Sequence, residues 1–142
     1  MGDNCIFCKI IAGEAAGSFV YENEHVVAFL DINQPNEYKT LVLPRRHAEM
    51  IYDLSEQEAT EILPVARKIA QAIQTITQCD GMNIFQANGA VAGQEVFHYH
   101  LHLLPRYKDD GHQWRKTNLA NRETLDKLAT DLRAELERQT GQ

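Results

Sequence analysis

The stretch His98-Tyr99-His100-Leu101-His102-Leu103-Leu104 carries three of the chain's six histidines at alternate positions. A period of two is the side-chain repeat of a β-strand. The pattern therefore predicts a strand over 98–104 with all three imidazoles on one face. A strand normally sets Val or Ile on its buried side. Here the repeating group is the side chain whose ordinary pKa lies nearest neutrality. Such a face handles protons, metal or phosphate. Alternate strand residues lie roughly 6.6–6.8 Å apart, which separates His98 from His102 by about 13 Å. A zinc–nitrogen bond is only about 2.0–2.1 Å, so one ion on a straight strand takes one or two of the three and leaves the rest for other work. The plain alternative is a ladder of hydrogen-bonded histidines filling a polar core. Against it stands the preceding loop, Gly89-Ala90-Val91-Ala92-Gly93-Gln94, whose glycines let backbone N–H groups approach an anion.

The remaining pattern is that of a mixed domain. Cys5 to Ile11 reads as a short apolar helix or turn. Phe19-Val20-Tyr21 and Val26–Leu30 read as strands joined by a tight hairpin at Asn23-Glu24. Lys39-Thr40-Leu41-Val42-Leu43 is a third strand stopped by Pro44, and Met82–Gln86 a fourth. Ser55 with Glu58 three residues on forms a capping box. Behind it Ala59, Ile62, Leu63, Ala66, Ile69, Ala70, Ile73 and Ile76 recur at helical spacing. Pro64 removes one donor inside this helix and predicts a kink costing roughly 3 kcal/mol. After Asn121, Leu125, Leu128, Leu132 and Leu136 mark a second amphipathic helix whose charged residues form a solvated face. These elements predict one α+β domain over 1–142. It has a five-stranded antiparallel sheet, one long central helix and a C-terminal helical extension over 118–142.

Fourteen Lys and Arg against twenty Asp and Glu give a net charge of −6. That balance argues against binding nucleic-acid polymers or an anionic membrane, which needs a basic face, yet permits a pocket for one phosphate. The absence of an 18-residue apolar run and of a basic-then-apolar start predicts a cytoplasmic protein. Three cysteines in a reducing compartment predict no disulfide framework. Cys5-x-x-Cys8 alone is ambiguous between redox, metal and chance, and no thioredoxin-like βαβ pattern surrounds it.

The run Gly93-Gln94-Glu95-Val96-Phe97-His98-Tyr99-His100-Leu101-His102-Leu103-Leu104-Pro105-Arg106 resembles the signature of the histidine triad family of nucleotide hydrolases and transferases, in its bacterial form. Cys5 to Ile11, Phe29-Leu30-Asp31-Ile32-Asn33 and Leu41-Val42-Leu43-Pro44-Arg45-Arg46-His47 are similar to the same branch. The resemblance runs from about residue 4 to 108.

It implies a purine nucleoside phosphoramidase or nucleotidyl hydrolase. His100 attacks the α-phosphorus to form a nucleotidyl-imidazole, with its second nitrogen donating to a carbonyl or neighbour, and His102 and Gln94 contact phosphate. Asp31 takes the ribose diol. Ile6, Phe7, Ile10, Phe29 and Ile32 form the apolar base slot, their plainer reading being core, with adenine weakly preferred. Asn88, opening the glycine loop, is counted with the nucleotide-binding residues. Cys5, Cys8, His47 and His98 match the family's zinc ligands and fill a closed Cys₂His₂ site. The alternative is two free thiols beside hydrogen-bonded histidines. No organic cofactor is implied.

Two positions depart from other branches. Glu95 stands where the eukaryotic phosphoramidases carry a hydroxyl residue, which alters how a leaving group is protonated. Ala87 stands where many members carry Asn. Family members are commonly homodimers joined through the long helix and one strand. Trp114 reads either as a residue near the partner's active site or as a packing anchor. Cys79 reads as packing, and His25 and His112 as surface. The competing functions are diadenosine polyphosphate hydrolysis and a nucleotide-binding scaffold with vestigial hydrolysis.

Overall fold

Val26, Ala28 and Leu30 pack into one core and Val27 and Phe29 into another, so β2 (Val26–Leu30) is buried along its whole length. The computed structural model describes residues 4–111 and 117–141. In it β2 lies within a five-stranded sheet of order β1-β2-β3-β5-β4. The other strands are β1 (Phe19–Glu22), β3 (Thr40–Pro44), β4 (Gly81–Phe85) and β5 (Leu101–Arg106), and every pairing is antiparallel. The β1–β2 hairpin turns on Asn23, whose Oδ1 accepts the N–H groups of His25 and Val26 at 2.9 and 2.8 Å.

One face of the sheet lies beneath two helices. α2 (Glu56–Thr77) starts at the Ser55–Glu58 capping box, runs through Pro64 and ends at Gln78 in the left-handed conformation. α3 (Arg122–Thr140) is capped by Asn121, whose side chain accepts from Thr124 N at 2.8 Å. Ile62, Val65, Ala66, Ile69, Ala72 and Ile73 of α2 share a single core with Leu125, Leu128, Ala129, Leu132 and Leu136 of α3. The C-terminal extension is thus part of the main core. Burying each such leucine contributes roughly 1.5–3 kcal/mol.

The opposite face is covered only in part, by α1 (Ile6–Ile11), whose Phe7 and Ile10 pack on Val27, Phe29, Leu41 and Leu43. Along this face the register aligns Phe19, Phe29, Leu41, His102 and Phe85 as a row crossing all five strands. The row sets His102 between Leu41 and Phe85.

The histidine strand is shorter than its sequence pattern. β5 begins at Leu101, and only Leu101, His102 and Leu103 pair with β3. Two bonds end the ladder early. The Pro44 carbonyl is taken by His98 Nε2 at 2.8 Å, and Tyr99 N donates to Ala48 O at 2.7 Å. β3 and β4 are each shifted by one residue from expectation. Among the described residues no helix is long and apolar enough to cross a membrane.

Candidate functional site

A cleft of about 900 Å³ opens on the partly covered face. Its walls include His100, His102, Gln94 and Asp31, and also Ile6, Phe7, Ile10, Phe29 and Ile32. The expected reactive and base-slot residues therefore meet in one cavity. Phe7, Ile10 and Phe29 are buried and form its apolar floor, whereas Ile6 and Ile32 are 46% and 55% exposed. Apolar side chains held at the mouth of a cavity add little to a core and are available to a ligand.

His100 Nδ1 lies 2.6 Å from the His98 carbonyl. A carbonyl only accepts, so Nδ1 carries the proton and Nε2 keeps its lone pair. Phe7 meets the ring edge-on at 4.9 Å. His102 stacks on Phe85, centroids 4.4 Å apart and planes 4° from parallel. His102 Nδ1 and Gln86 Oε1 are buried without a hydrogen-bond partner among the described residues, and both residues line the cleft. Burial pulls the His102 pKa down to about 3, helped by the charge of Lys39, and burial likewise lowers that of His100. Both rings are neutral at ordinary pH, the state in which imidazole is a nucleophile.

Asp31 is held by a clasp centred on Gln34, which is 1% exposed. Gln34 Nε2 donates to the carbonyls of Asp31 and Lys39 at 2.7 and 2.8 Å. Its Oε1 accepts from Tyr38 N and Lys39 N at 2.7 and 3.1 Å. All four hydrogen bonds of the amide are spent on closing this loop, which fixes two charged side chains together. Asp31 Oδ2 accepts from Lys39 Nζ at 2.7 Å and Oδ1 from Asn33 N at 2.9 Å. Each carboxylate oxygen retains one lone pair, enough for a vicinal diol.

The segment before α3 completes the wall. Asn118 N donates to Asn33 Oδ1 at 2.6 Å, Gln34 N to Asn118 O at 2.8 Å, and Ala120 N to Ile32 O at 2.9 Å. Thr117, Leu119 and Arg122 then face the cleft.

Beside the cleft, Cys5, Cys8, His47 and His98 bring their donor atoms within 4.8 Å of one another. Cys5 Sγ and Cys8 Sγ each lie 3.5 Å from His98 Nδ1, and Cys8 Sγ lies 3.3 Å from His47 Nδ1. A tetrahedral zinc with Zn–S about 2.3 Å and Zn–N about 2.0–2.1 Å sets S and N about 3.6 Å apart. The observed spacings fit that geometry. The Pro44 carbonyl takes the Nε2 proton of His98, which turns its Nδ1 lone pair toward the sulfurs, as metal-ligating histidines require. Burial pushes the Cys8 thiol up to about 11 and pulls His98 down to about 4.

Two of the expected site residues are engaged by backbone groups. Asn88 is not on the cleft wall; its Oδ1 accepts from Ile51 N at 2.7 Å and ties the glycine loop to a 3-10 turn at Ile51–Asp53. Gln94 reaches the cleft, but its Nε2 donates to Glu49 O and Val96 O at 2.7 and 3.2 Å and its Oε1 accepts from Gly89 N at 2.7 Å. Both amide hydrogens are engaged by backbone carbonyls here, and the side chain holds the loop in shape. Glu95 and Ala87 line the cleft, Cys79 is buried and His25 is half-buried. His112 and Trp114 lie outside the described residues. Sequence reasoning missed Lys39, Gln34 and the Thr117–Arg122 wall. A lysine opening an otherwise apolar strand was the one available signal.

The HIT domain family model matches residues 12–109. The chain is 49% identical over 110 residues to Protein hit of Bacillus subtilis, covering 77% of this chain and 76% of the relative. It is 35% identical over 107 residues to adenosine 5'-monophosphoramidase hnt1 of Schizosaccharomyces pombe, covering 75% and 77% of the two chains. A Zn-bound histidine triad family protein of Mycobacterium smegmatis superposes with a TM-score of 0.84 at 30% identity, covering 99% of each chain. The family model spans more than half of the sequence and the Bacillus subtilis relative is 49% identical to it, so the chain belongs to the HIT family.

Proposed function

We propose that this nucleotide hydrolase acts at the α-phosphate of purine nucleoside 5'-phosphoramidates and related nucleotidyl conjugates, through a covalent nucleotidyl intermediate on His100. The carrying observation is the 2.6 Å bond from His100 Nδ1 to the His98 carbonyl, which leaves Nε2 free in a cleft beside His102. The hnt1 relative's name, an adenosine 5'-monophosphoramidase, supports the same substrate class.

Asp31 receives the ribose hydroxyls, and the base lies between Ile32 and the α1 side chains Ile6 and Phe7. His100 Nε2 attacks phosphorus and forms the P–N bond as the bond to the leaving group breaks. The His98 carbonyl supports the imidazolium that develops, because its acceptor already faces Nδ1–H. His102 stands where charge grows on the phosphate oxygens. The departing group takes a proton at the open rim, which Glu95 lines. Water then cleaves the P–N bond, releasing nucleoside monophosphate and the free imidazole. Gln94 contributes by fixing the loop.

Cys5, Cys8, His47 and His98 would hold a structural zinc. It would pin α1, and with it one side of the base slot, to the residues just ahead of β5. A Zn-bound relative supports that reading. A homodimer through the β4 edge and α2, where Ile84 and Leu63 are 47% and 63% exposed, and a cytoplasmic location complete it.

Mass spectrometry of protein quenched during turnover of adenosine 5'-phosphoramidate is expected to find AMP on His100. Turnover that survives His100→Ala overturns the mechanism. A preference of orders of magnitude for diadenosine tetraphosphate replaces the substrate class, and nucleotide binding without turnover leaves a scaffold.

A further inference from the structure

Lys39 is a charged side chain that the fold does not need. It stands immediately before β3, whose first residues are Thr40, Leu41, Val42 and Leu43, and its side chain is only 5% exposed. A buried ion pair rarely stabilises more than a well-packed apolar pair of the same size. The Lys39–Asp31 pair therefore calls for an explanation in the cleft, whose wall both residues form.

The sheet register gives its position. Leu41 pairs with His102, and Lys39, two residues earlier, points to the same face as a diagonal neighbour of His102. Its Nζ lies 5.8 Å from the centroid of Phe85, the ring on which His102 stacks. Among the described residues, its one side-chain hydrogen bond goes to Asp31 Oδ2. An ammonium has three donors, so two remain. The other cation on the cleft wall, Arg122, donates to Ser18 Oγ at 2.7 Å and to the Ala16 carbonyl at 3.4 Å.

A site that binds a nucleotide through a carboxylate faces a conflict. The anion suited to a ribose diol repels the phosphate a few ångströms away, and strongly so where water is excluded. We infer that Lys39 is the phosphate counter-charge of this cleft: it neutralises Asp31 and donates its remaining N–H groups to non-bridging oxygens of the α-phosphate, an assignment that rests on the nucleotide reading above. Lys39 thereby sets selectivity for a phosphorylated nucleoside over the bare nucleoside.

Calorimetric titration of AMP and of adenosine into the intact protein reads this directly. In Lys39→Met the preference for AMP over adenosine falls about ten- to a hundredfold, the usual worth of a charge-assisted hydrogen bond, with the loss in the AMP arm. Asp31→Asn compared with Asp31→Asn/Lys39→Met repeats the measurement without leaving a buried carboxylate unpaired, and the same fall is expected. A purely structural lysine weakens both ligands equally; an unchanged preference in both comparisons, with the folded far-ultraviolet dichroism retained, overturns the assignment. Wild-type protein that binds no AMP at all overturns instead the nucleotide reading, and the role of Lys39 with it.

Discussion

Ala28, Val42 and Leu103 point beneath α2 and α3, while their chain neighbours Phe29, Leu41 and His102 point toward α1 and the cleft. The same strands thus build two unlike faces. The helix-covered face is apolar apart from the buried Thr40, so its apolar residues are replaceable in kind by others of their volume. The cleft face mixes aromatic rings with a buried Lys–Asp pair and two polar atoms, His102 Nδ1 and Gln86 Oε1, that are buried without a partner among the described residues. Unsatisfied buried groups lower stability by roughly 1–3 kcal/mol each. A fold carries them where a ligand will meet them, and the covered face supplies the stability that offsets them.

The contrast can be tested by moving residues on one face at a time. His100→Ala has the largest expected effect: kcat falls about 10⁴-fold or more, equivalent to roughly 5.5 kcal/mol. AMP affinity and the unfolding midpoint change little, as steady-state kinetics and calorimetry will report. A variant that loses fold and activity together breaks the division between faces. Leu132→Ala, on the buried side of α3, reverses the pattern. Unfolding free energy drops about 2–5 kcal/mol in denaturant titrations, while kcat/KM of the folded fraction stays within about twofold.

Cys5→Ser/Cys8→Ser sharpens the comparison at its edge, where the Cys5, Cys8, His47 and His98 group joins α1 to the cleft. Elemental analysis is expected to find about one zinc per chain in the parent and none in the variant. AMP affinity falls about tenfold as Phe7 and Ile10 lose their anchor. A parent protein purified without chelator and free of zinc rejects the site. Ile32→Ala comes last, weakening AMP by about 1–2 kcal/mol with no measurable change in stability, because the side chain is 55% exposed.

Local patterns were legible and long-range commitments were not. Asn121 and the leucines at 125, 128, 132 and 136 wrote α3 into the sequence, and the capping box at Ser55 wrote the start of α2, since both follow from one helix's own periodicity. His98 was read as a strand residue because its spacing from His100 is two. The bond from its Nε2 to the Pro44 carbonyl, across fifty-four positions, could not be read from spacing, and it is what frees the chain from the ladder there. Asn88 and Gln94 belong to the same class: residue type told of polar contacts, but backbone groups of Ile51, Glu49 and Val96 claimed them first. Lys39 was visible only as a letter beginning a strand. Its partner Asp31 lies eight residues back, brought near by the Gln34 clasp that no periodicity announces.

The stitching of Asn118 and Ala120 to the Asp31 loop also fixes an order in time. All five strands end by Arg106, so the ribosome delivers His100, His102 and Lys39 before Thr117 exists. A growing chain therefore owns its reactive histidines while Gln34 N and Ile32 O still lack their partners. The wall arrives with the helix whose leucines also finish the core. The histidines are synthesised first and the enclosing wall last, so the cleft gains its wall as the core gains its final leucines.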